Sequence, residues 1–152
     1  MRTMPGIRRS FVAKASLTDV VSFFKDLRNL AQCFPGLQEF KDLGGGASYW
    51  RVKIELPMAT RTVELKATLN EFNDLGASFG LEGINENVRG SGRATFSKEE
   101  GGTAVSFEMT LEAGGVMAPF VNQLIGLAMP KLYEEVVRNI IAALEGGKRG
   151  TG

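Results

Sequence analysis

Residues 103–144 read TAVSFEMTLEAGGVMAPFVNQLIGLAMPKLYEEVVRNIIAAL. Over residues 103–113, apolar and polar side chains alternate, a pattern typical of a strand with one buried and one solvated face. Gly114 and Gly115 then break the alternation, and apolar residues recur at helical spacing as far as Leu144. The stretch therefore predicts a strand, a turn and a long helix that covers the apolar face of an antiparallel sheet.

More strands are predicted upstream of this stretch. Alternating or short apolar runs place them at residues 7–14, 37–43, 49–56, 61–69, around 79–81 and at 88–96. Ser16 is the predicted N-cap of a short helix, and Pro35-Gly36 end a second short helix. The predicted fold class is α+β: a curved antiparallel sheet wrapped around a long C-terminal helix, with two short helices after the first strand.

The composition predicts one globular domain. The chain has 152 residues, of which 43% are hydrophobic and 23% are charged, and its net charge is +1. We expect the domain to cover residues 1–145 and a flexible tail to cover 146–152. A chain with so little net charge and no basic run is not expected to bind nucleic acid.

The location predicted from the sequence is cytoplasmic. The charged start of the chain is not followed by an apolar run, so it does not resemble a secretory signal. The longest apolar stretch, 116–129, is too short to span a bilayer. The lone Cys33 cannot form an internal disulfide, which fits a reducing compartment.

The chain contains no histidine. It therefore lacks the usual general base near neutral pH and the commonest metal ligand. A nucleophile activated by histidine is excluded, and no cluster of carboxylates has the spacing of a metal site. We predict no catalytic residue and no metal.

The apolar face of the long helix changes sides at Pro130. At about 100° per residue, the apolar residues of 116–129 and those of 131–144 point in roughly opposite directions. One hypothesis is that the helix breaks at Pro130 and both halves are buried. The other is a continuous helix in which Phe120, Leu124 and Leu127 form an outer patch that contacts a membrane, a partner protein or a second copy.

A cavity is predicted where small residues face inward. Gly90, Gly92 and Ala94 share the inward side of strand 88–96, where they leave room for an apolar ligand or allow a bulge or strong curvature. In a continuous helix, Ala118 and Gly126 lie above them and enlarge one end. The predicted ligand-binding residues are Phe24, Phe34, Trp50, Val52, Ile54, Val63, Leu65, Phe79, Leu81, Gly90, Gly92, Ala94, Phe107, Met109, Ala118, Asn122, Ile125, Gly126, Met129 and Tyr133.

Three polar residues have two interpretations each. Asn122 hydrogen-bonds a carbonyl or hydroxyl group of the ligand, or it faces solvent. Arg61 has inward parity at a strand end, where it meets an anionic or carbonyl head group or extends to solvent. Cys33 has no neighbouring cation to lower its pKa, so we expect a packed structural role rather than a reactive thiol.

The tetrapeptide Cys33-Phe34-Pro35-Gly36 after the second helix is the most specific local motif. Together with Gly90-Ser91-Gly92-Arg93-Ala94, Gly102-Thr103 and Gly114-Gly115, it makes nearly the whole chain resemble the carbon monoxide dehydrogenase G-subunit family. That family belongs to the START-like (SRPBCC), helix-grip superfamily. The chain departs from the pattern at Asp26-Leu27, where members often have Asp-Pro, and at Pro130 in the last helix.

The resemblance implies a START-like domain that binds or transports a hydrophobic, lipid-like ligand without enzymatic activity. It implies a quinone as the preferred ligand and no covalently bound cofactor. It also implies an accessory role to a molybdenum-containing carbon monoxide dehydrogenase or a related hydroxylase, with peripheral contact at the inner face of the cell membrane.

Two alternatives remain open. The superfamily also includes polyketide cyclases and dehydratases, and Tyr133, Arg61 and Asn122 are the only acid–base candidates that the pattern places in the cavity. The other alternative is a pure assembly or membrane-recruitment factor that acts through the outer patch and has no ligand.

Overall fold

The fold is one antiparallel sheet packed against a long helix. The computed structural model describes residues 6–56 and 59–150. The elements are β1 (Gly6–Ala13), α1 (Leu17–Lys25), α2 (Leu27–Ala31), β2 (Leu37–Gly44), β3 (Ala47–Leu56), β4 (Ala59–Asn73), β5 (Gly76–Gly83), β6 (Val88–Glu99), β7 (Gly102–Ala113) and α3 (Ala118–Gly150). The seven strands pair in the order β1-β7-β6-β5-β4-β3-β2. The predicted fold class is confirmed.

Side-chain caps fix where the two short helices begin. Ser16 Oγ accepts a hydrogen bond from the Asp19 backbone N–H at 3.1 Å, as the sequence predicts for α1. Asp26 ends α1 and caps α2, because its Oδ1 accepts from the Arg28 N–H at 2.9 Å. The chain then turns at Gly36, whose φ of 87° suits glycine.

Stacked aromatic rings fill one part of the space between the sheet and α3. Phe24 of α1 stacks on Phe96 of β6, with ring centroids 5.2 Å apart. Phe107 of β7 stacks on Tyr133 of α3 at 5.9 Å, and it lies 6.4 Å from Phe24. These four residues form an aromatic cluster (Phe24, Phe96, Phe107 and Tyr133). Any open space between the sheet and α3 must therefore lie at another part of the helix.

Helix α3 is continuous through Pro130. Pro130 has no N–H, so the carbonyl of Gly126 loses its helical partner. Both residues lie on the exposed face, where water can satisfy that carbonyl. The hypothesis of a break at Pro130 is therefore wrong. The buried stripe of the second half runs from Met129 to Leu144.

Helix α3 extends past residue 145, where the sequence places the start of a flexible tail. The glycine pair at 146 and 147 predicts a tail over 146–152, but α3 continues to Gly150. Glycine weakens a helix by roughly 1 kcal/mol per residue without forbidding it, so the pair does not by itself end α3. Residues 151 and 152, like residues 1–5 at the other terminus, lie outside the described part of the chain.

Candidate functional site

A cavity of about 320 Å³ lies between the sheet and the first half of α3. Nearly all its lining side chains are apolar, and Arg61, Glu86 and Thr110 are the polar exceptions. The lining residues are Phe34, Val52, Ile54, Leu56, Ala59, Arg61, Val63, Leu65, Leu81, Glu86, Val88, Met109, Thr110, Leu111, Phe120, Val121, Leu124, Ile125, Ala128, Met129 and Leu132.

The strand pattern located one wall of this cavity correctly. The predicted ligand-binding residues that line it are Phe34, Val52, Ile54, Val63, Leu65, Leu81, Met109, Ile125 and Met129. Leu56, Val88 and Leu111 have the same inward parity as these residues, so parity alone could have identified them. That these side chains bind a ligand stays a prediction.

Other predicted ligand-binding residues lie outside the cavity lining. They are Phe24, Trp50, Phe79, Gly90, Gly92, Ala94, Phe107, Ala118, Asn122, Gly126 and Tyr133. Phe24, Phe107 and Tyr133 form the aromatic cluster with Phe96, and they fill the space that the prediction left for a ligand. Trp50 is fully buried, and its indole N–H donates to Ser48 Oγ at 2.9 Å.

The small residues of β6 do not open the cavity, which corrects the prediction. Gly92 pairs with Phe79 of β5, and a Cβ at position 92 would lie 2.1 Å from the Phe79 ring. A Cβ at Gly90 would lie 2.4 Å from the carbonyl oxygen of Thr110. Ala94 is buried opposite Phe107. Neighbouring atoms therefore occupy the room that these small residues leave.

The small residues of α3 do not open the cavity either. Gly126 is exposed, and nothing lies within 4 Å of a Cβ built there. Ala118 is half-buried at the start of the helix. The helix wall of the cavity is made instead by bulkier residues, among them Val121 and Leu132.

Asn122 contacts the protein backbone. Its Oδ1 accepts a hydrogen bond from the Ala113 N–H at 2.7 Å, and its Nδ2 donates to the Ala113 carbonyl at 3.1 Å. Asn122 is half-buried and lies outside the cavity lining, so the structure gives it a structural contact that neither interpretation foresaw; a contact with a ligand stays a prediction. This pair of hydrogen bonds ties α3 to the end of β7 across the turn at Gly114 and Gly115.

The hydroxyl of Tyr133 is directed at the sheet backbone. It donates to the Phe107 carbonyl at 2.6 Å, and burial raises the pKa of this hydroxyl. Arg9 lies over the ring, with its guanidinium carbon 5.9 Å from the centroid. Tyr133 is therefore a packed core residue with a satisfied hydroxyl group.

The outer patch divides into two parts. Phe120 and Leu124 line the cavity beside the sheet, which corrects the prediction that all three residues face outward. That they contact a membrane or a partner stays a prediction. Phe120 nevertheless keeps 53% of its surface exposed, and Leu127 keeps 66%. Phe120 thus belongs both to the cavity wall and to the outer surface of the protein.

An ion pair forms the charged part of the cavity lining. Arg61 Nη2 of β4 contacts Glu86 Oε2 in the loop between β5 and β6. Asn85 fixes this loop on β4: its Oδ1 accepts from the Glu64 N–H at 2.8 Å and its Nδ2 donates to the Thr62 carbonyl at 3.2 Å. Nothing in the sequence pattern marked Glu86, because it lies in a loop and meets Arg61 only in the folded chain.

The Cys33-Phe34-Pro35-Gly36 tetrapeptide connects α2 to the cavity. Asn139 Nδ2 donates to the Cys33 carbonyl at 2.8 Å, which attaches the motif to α3. The buried Cys33 thiol contacts the Asn29 carbonyl oxygen at 3.4 Å, and burial raises its pKa to about 12. The predicted structural role of Cys33 is confirmed, and Phe34 contributes its ring to the cavity wall.

The described residues offer neither a clustered metal site nor a membrane-spanning helix. Among them, no group of three or more cysteine, aspartate or glutamate residues is arranged to hold a metal ion. In the same part of the chain, no helix combines the length and the apolar character needed to cross a bilayer.

Comparisons with known proteins agree with this geometry. Residues 10–145 match the family model for the G subunit of carbon monoxide dehydrogenase (CoxG). No curated protein matches the sequence.

Among solved structures, a conserved protein from Geobacillus kaustophilus is similar with a TM-score of 0.74 at 16% identity, over 91% of this chain and 93% of that one. A protein from Thermus thermophilus has a TM-score of 0.65 at 16% identity, over 92% and 97% of the two chains. The di-domain ARO/CYC StfQ from the steffimycin biosynthetic pathway has a TM-score of 0.65 at 8% identity, over 97% of this chain and 52% of that one. These likenesses identify the helix-grip fold.

Proposed function

The chain belongs to the CoxG family, the carbon monoxide dehydrogenase G-subunit family, and on this premise we propose that it is a non-enzymatic carrier of a hydrophobic, lipid-like ligand. A quinone is the preferred ligand. The carrier serves a molybdenum-containing carbon monoxide dehydrogenase or a related hydroxylase at the membrane surface.

The observation that carries this proposal is the apolar cavity beside α3. Its volume of about 320 Å³ lies in the range of small-molecule sites. Burial of an apolar ligand there removes both the ligand and the cavity walls from water, which drives binding. The one ion pair in the lining, Arg61–Glu86, suits a ligand with an apolar body and a polar end. A quinone fits this description, because its ring carbonyl can accept a hydrogen bond and its chain is apolar.

The exposed side chains at the start of α3 support contact with a membrane surface. Val116 is 96% exposed, and Met117, Phe120 and Leu127 are exposed as well. Between Glu112 and Glu134 the chain has no acidic residue and one basic residue, Lys131. An apolar helix segment without acidic side chains of its own is compatible with a bilayer that contains anionic lipids. Phe120 joins this surface to the cavity wall, so a ligand has a short apolar route between them.

The cyclase-like alternative has less support. Of its three acid–base candidates, Tyr133 and Asn122 are hydrogen-bonded to the backbone outside the cavity lining. Of the three, only Arg61 lines the cavity, where it is paired with Glu86, a carboxylate that the sequence pattern did not mark. An arginine stays protonated and is therefore a poor general acid or base. The likeness to an ARO/CYC protein concerns the fold alone.

Ligand uptake tests the carrier proposal. The purified protein is incubated with a short-chain quinone and examined by native mass spectrometry. Ala128→Phe fills the cavity, and we expect it to lower quinone occupancy at least tenfold. Ala142→Phe on the exposed face of α3 is the matched control and should bind like the wild type. If the wild-type protein takes up neither quinones nor fatty alcohols, the carrier proposal is contradicted.

Membrane contact is tested separately by sedimentation with vesicles of phosphatidylcholine and phosphatidylglycerol. We expect Phe120→Ser combined with Leu127→Ser to reduce the bound fraction several-fold. Leu75→Ser is the matched control, because Leu75 is 74% exposed in the β4–β5 turn, at the other end of β5 from the 84–87 loop. Equal binding by all three proteins contradicts docking through this surface. Deletion of the protein should also slow the reduction of membrane quinone by the hydroxylase.

A further inference from the structure

The Arg61–Glu86 ion pair gives the cavity a charge preference. We propose that this pair selects uncharged amphiphiles whose polar end accepts a hydrogen bond and rejects carboxylates. The inference rests on the proposed function, since it concerns the ligand that the same cavity binds. It resolves the choice between an anionic and a carbonyl head group that the sequence left open for Arg61.

Both members of the pair face the ligand space. Arg61 pairs in register with Ile54 of β3, and both residues line the cavity. The Arg61 side chain is 54% exposed and that of Glu86 is 27% exposed. The guanidinium is therefore at the solvent-facing edge of the cavity, while the carboxylate is more enclosed by protein.

The backbone holds Glu86 in place. The two hydrogen bonds of Asn85 attach the loop to β4, and the Ile84 N–H donates to the Glu64 carbonyl at 2.8 Å. At Gly83 a Cβ would lie 2.1 Å from the Glu86 carbonyl oxygen, so the loop can fold this tightly only after a glycine. Since the loop is fixed, Glu86 cannot easily retreat from an incoming ligand.

The chemistry of the pair favours a neutral head group. A guanidinium has five N–H donors, and the ion pair with Glu86 leaves donors available for a carbonyl or hydroxyl oxygen of a ligand. A carboxylate ligand would instead approach Glu86 with the same charge. To bind Arg61 it would have to displace Glu86, whose carboxylate would then lack a partner beside apolar walls. Among the described residues that line the cavity, no other charge is present to compensate it.

The test uses two ligands with the same chain, dodecanol and dodecanoate, at pH 8, where the acid is ionised. Isothermal titration calorimetry gives the Kd of each for the wild type and for Glu86→Gln. We expect the substitution to tighten dodecanoate binding by about ten- to a hundredfold, the range of a charge-assisted hydrogen bond. Dodecanol binding should change less than about threefold.

Glu112→Gln is the matched control, because Glu112 pairs with Arg89 and does not line the cavity. The double variant Arg61→Gln/Glu86→Gln removes both charges together and should lose the enhanced binding of dodecanoate seen with Glu86→Gln. Thermal unfolding checks that each variant is folded. If Glu86→Gln and Glu112→Gln change dodecanoate binding equally while dodecanol still binds, the charge preference is overturned and the carrier proposal stands. If the folded wild type binds neither ligand, the carrier proposal itself fails.

Discussion

The ring of Phe79 in β5 lies against the backbone of Gly92 in β6, so close that a Cβ at position 92 would be 2.1 Å from Phe79 Cζ. The two residues are partners in the antiparallel register. Phe79 is 3% exposed, which means that its ring occupies the space a side chain at 92 would need. An aromatic ring placed over a strand glycine stabilises the sheet, because it restores the apolar contacts that glycine lacks.

Gly92→Ala should therefore destabilise the protein. The added methyl group overlaps an enclosed ring, and overpacking of this kind costs about 1–3 kcal/mol. The free energy of unfolding in urea measures the effect. Gly126→Ala is the control: its Cβ meets nothing within 4 Å, and alanine in place of an exposed helical glycine should stabilise by about 0.5–1 kcal/mol. Equal effects of both substitutions would contradict the packing of Phe79 on Gly92.

Asn122→Ala should loosen the junction between β7 and α3. The substitution leaves the N–H and the carbonyl of the buried Ala113 without their side-chain partner. We expect a loss of about 1–3 kcal/mol in the free energy of unfolding. Gln123→Ala, at the exposed neighbouring position, should change it by less than about 0.5 kcal/mol. If Asn122 instead contacted the ligand, Asn122→Ala would weaken ligand binding without this loss of stability.

Tyr133→Phe should affect stability and leave ligand binding unchanged. The substitution keeps the ring stacked on Phe107 and removes only the hydrogen bond to the Phe107 carbonyl. We expect a loss of about 0.5–1.5 kcal/mol by urea unfolding and an unaltered Kd for a short-chain quinone. Tyr49→Phe is the control, because the Tyr49 hydroxyl contacts Glu64 at the outer side of the sheet. A large loss of ligand affinity in Tyr133→Phe would return Tyr133 to the candidate site.

The Cys33 thiol should make stability decrease at alkaline pH. Burial raises the pKa of Cys33 from 9.0 to about 12, so the unfolded chain loses the thiol proton first as pH rises. The contribution of the protonated Cys33 thiol to the free energy of unfolding is complete below about pH 9 and is lost as pH rises towards about 12. The stability difference between the wild type and Cys33→Ala should therefore fall by about 1–2 kcal/mol between pH 8 and pH 10.5. A constant difference across this interval would mean that the thiol is not shielded from water.

The fold could be predicted from the sequence because its signals are local. Alternation over residues 103–113 or 49–56 needs no knowledge of distant parts of the chain, and a glycine pair marks the junction between β7 and α3. Inward parity on the same grounds identified wall residues such as Val52 and Met109. The side of the sheet that faces the cavity is thus encoded strand by strand.

The position of the cavity along α3 could not be predicted in the same way. Phe24, Phe107 and Tyr133 are far apart in sequence, and only their packing in the folded chain decides which end is filled. The same limit applies to Gly92: the space beside it is occupied by the ring of Phe79 on the neighbouring strand. No sequence pattern identified Glu86 as a cavity residue, because its contact with Arg61 depends on how Asn85 fixes a loop to β4.

The buried indole of Trp50 provides an intrinsic optical probe. Trp50 is the only tryptophan in the chain, and its ring centroid is 5.3 Å from that of Phe34, which lines the cavity. A ligand that moves Phe34 alters the surroundings of a single fluorophore, so occupancy can be followed by emission without a label. Quinones also quench tryptophan emission, whereas fatty alcohols do not. One titration can therefore follow entry into the cavity and distinguish a quinone from a fatty alcohol.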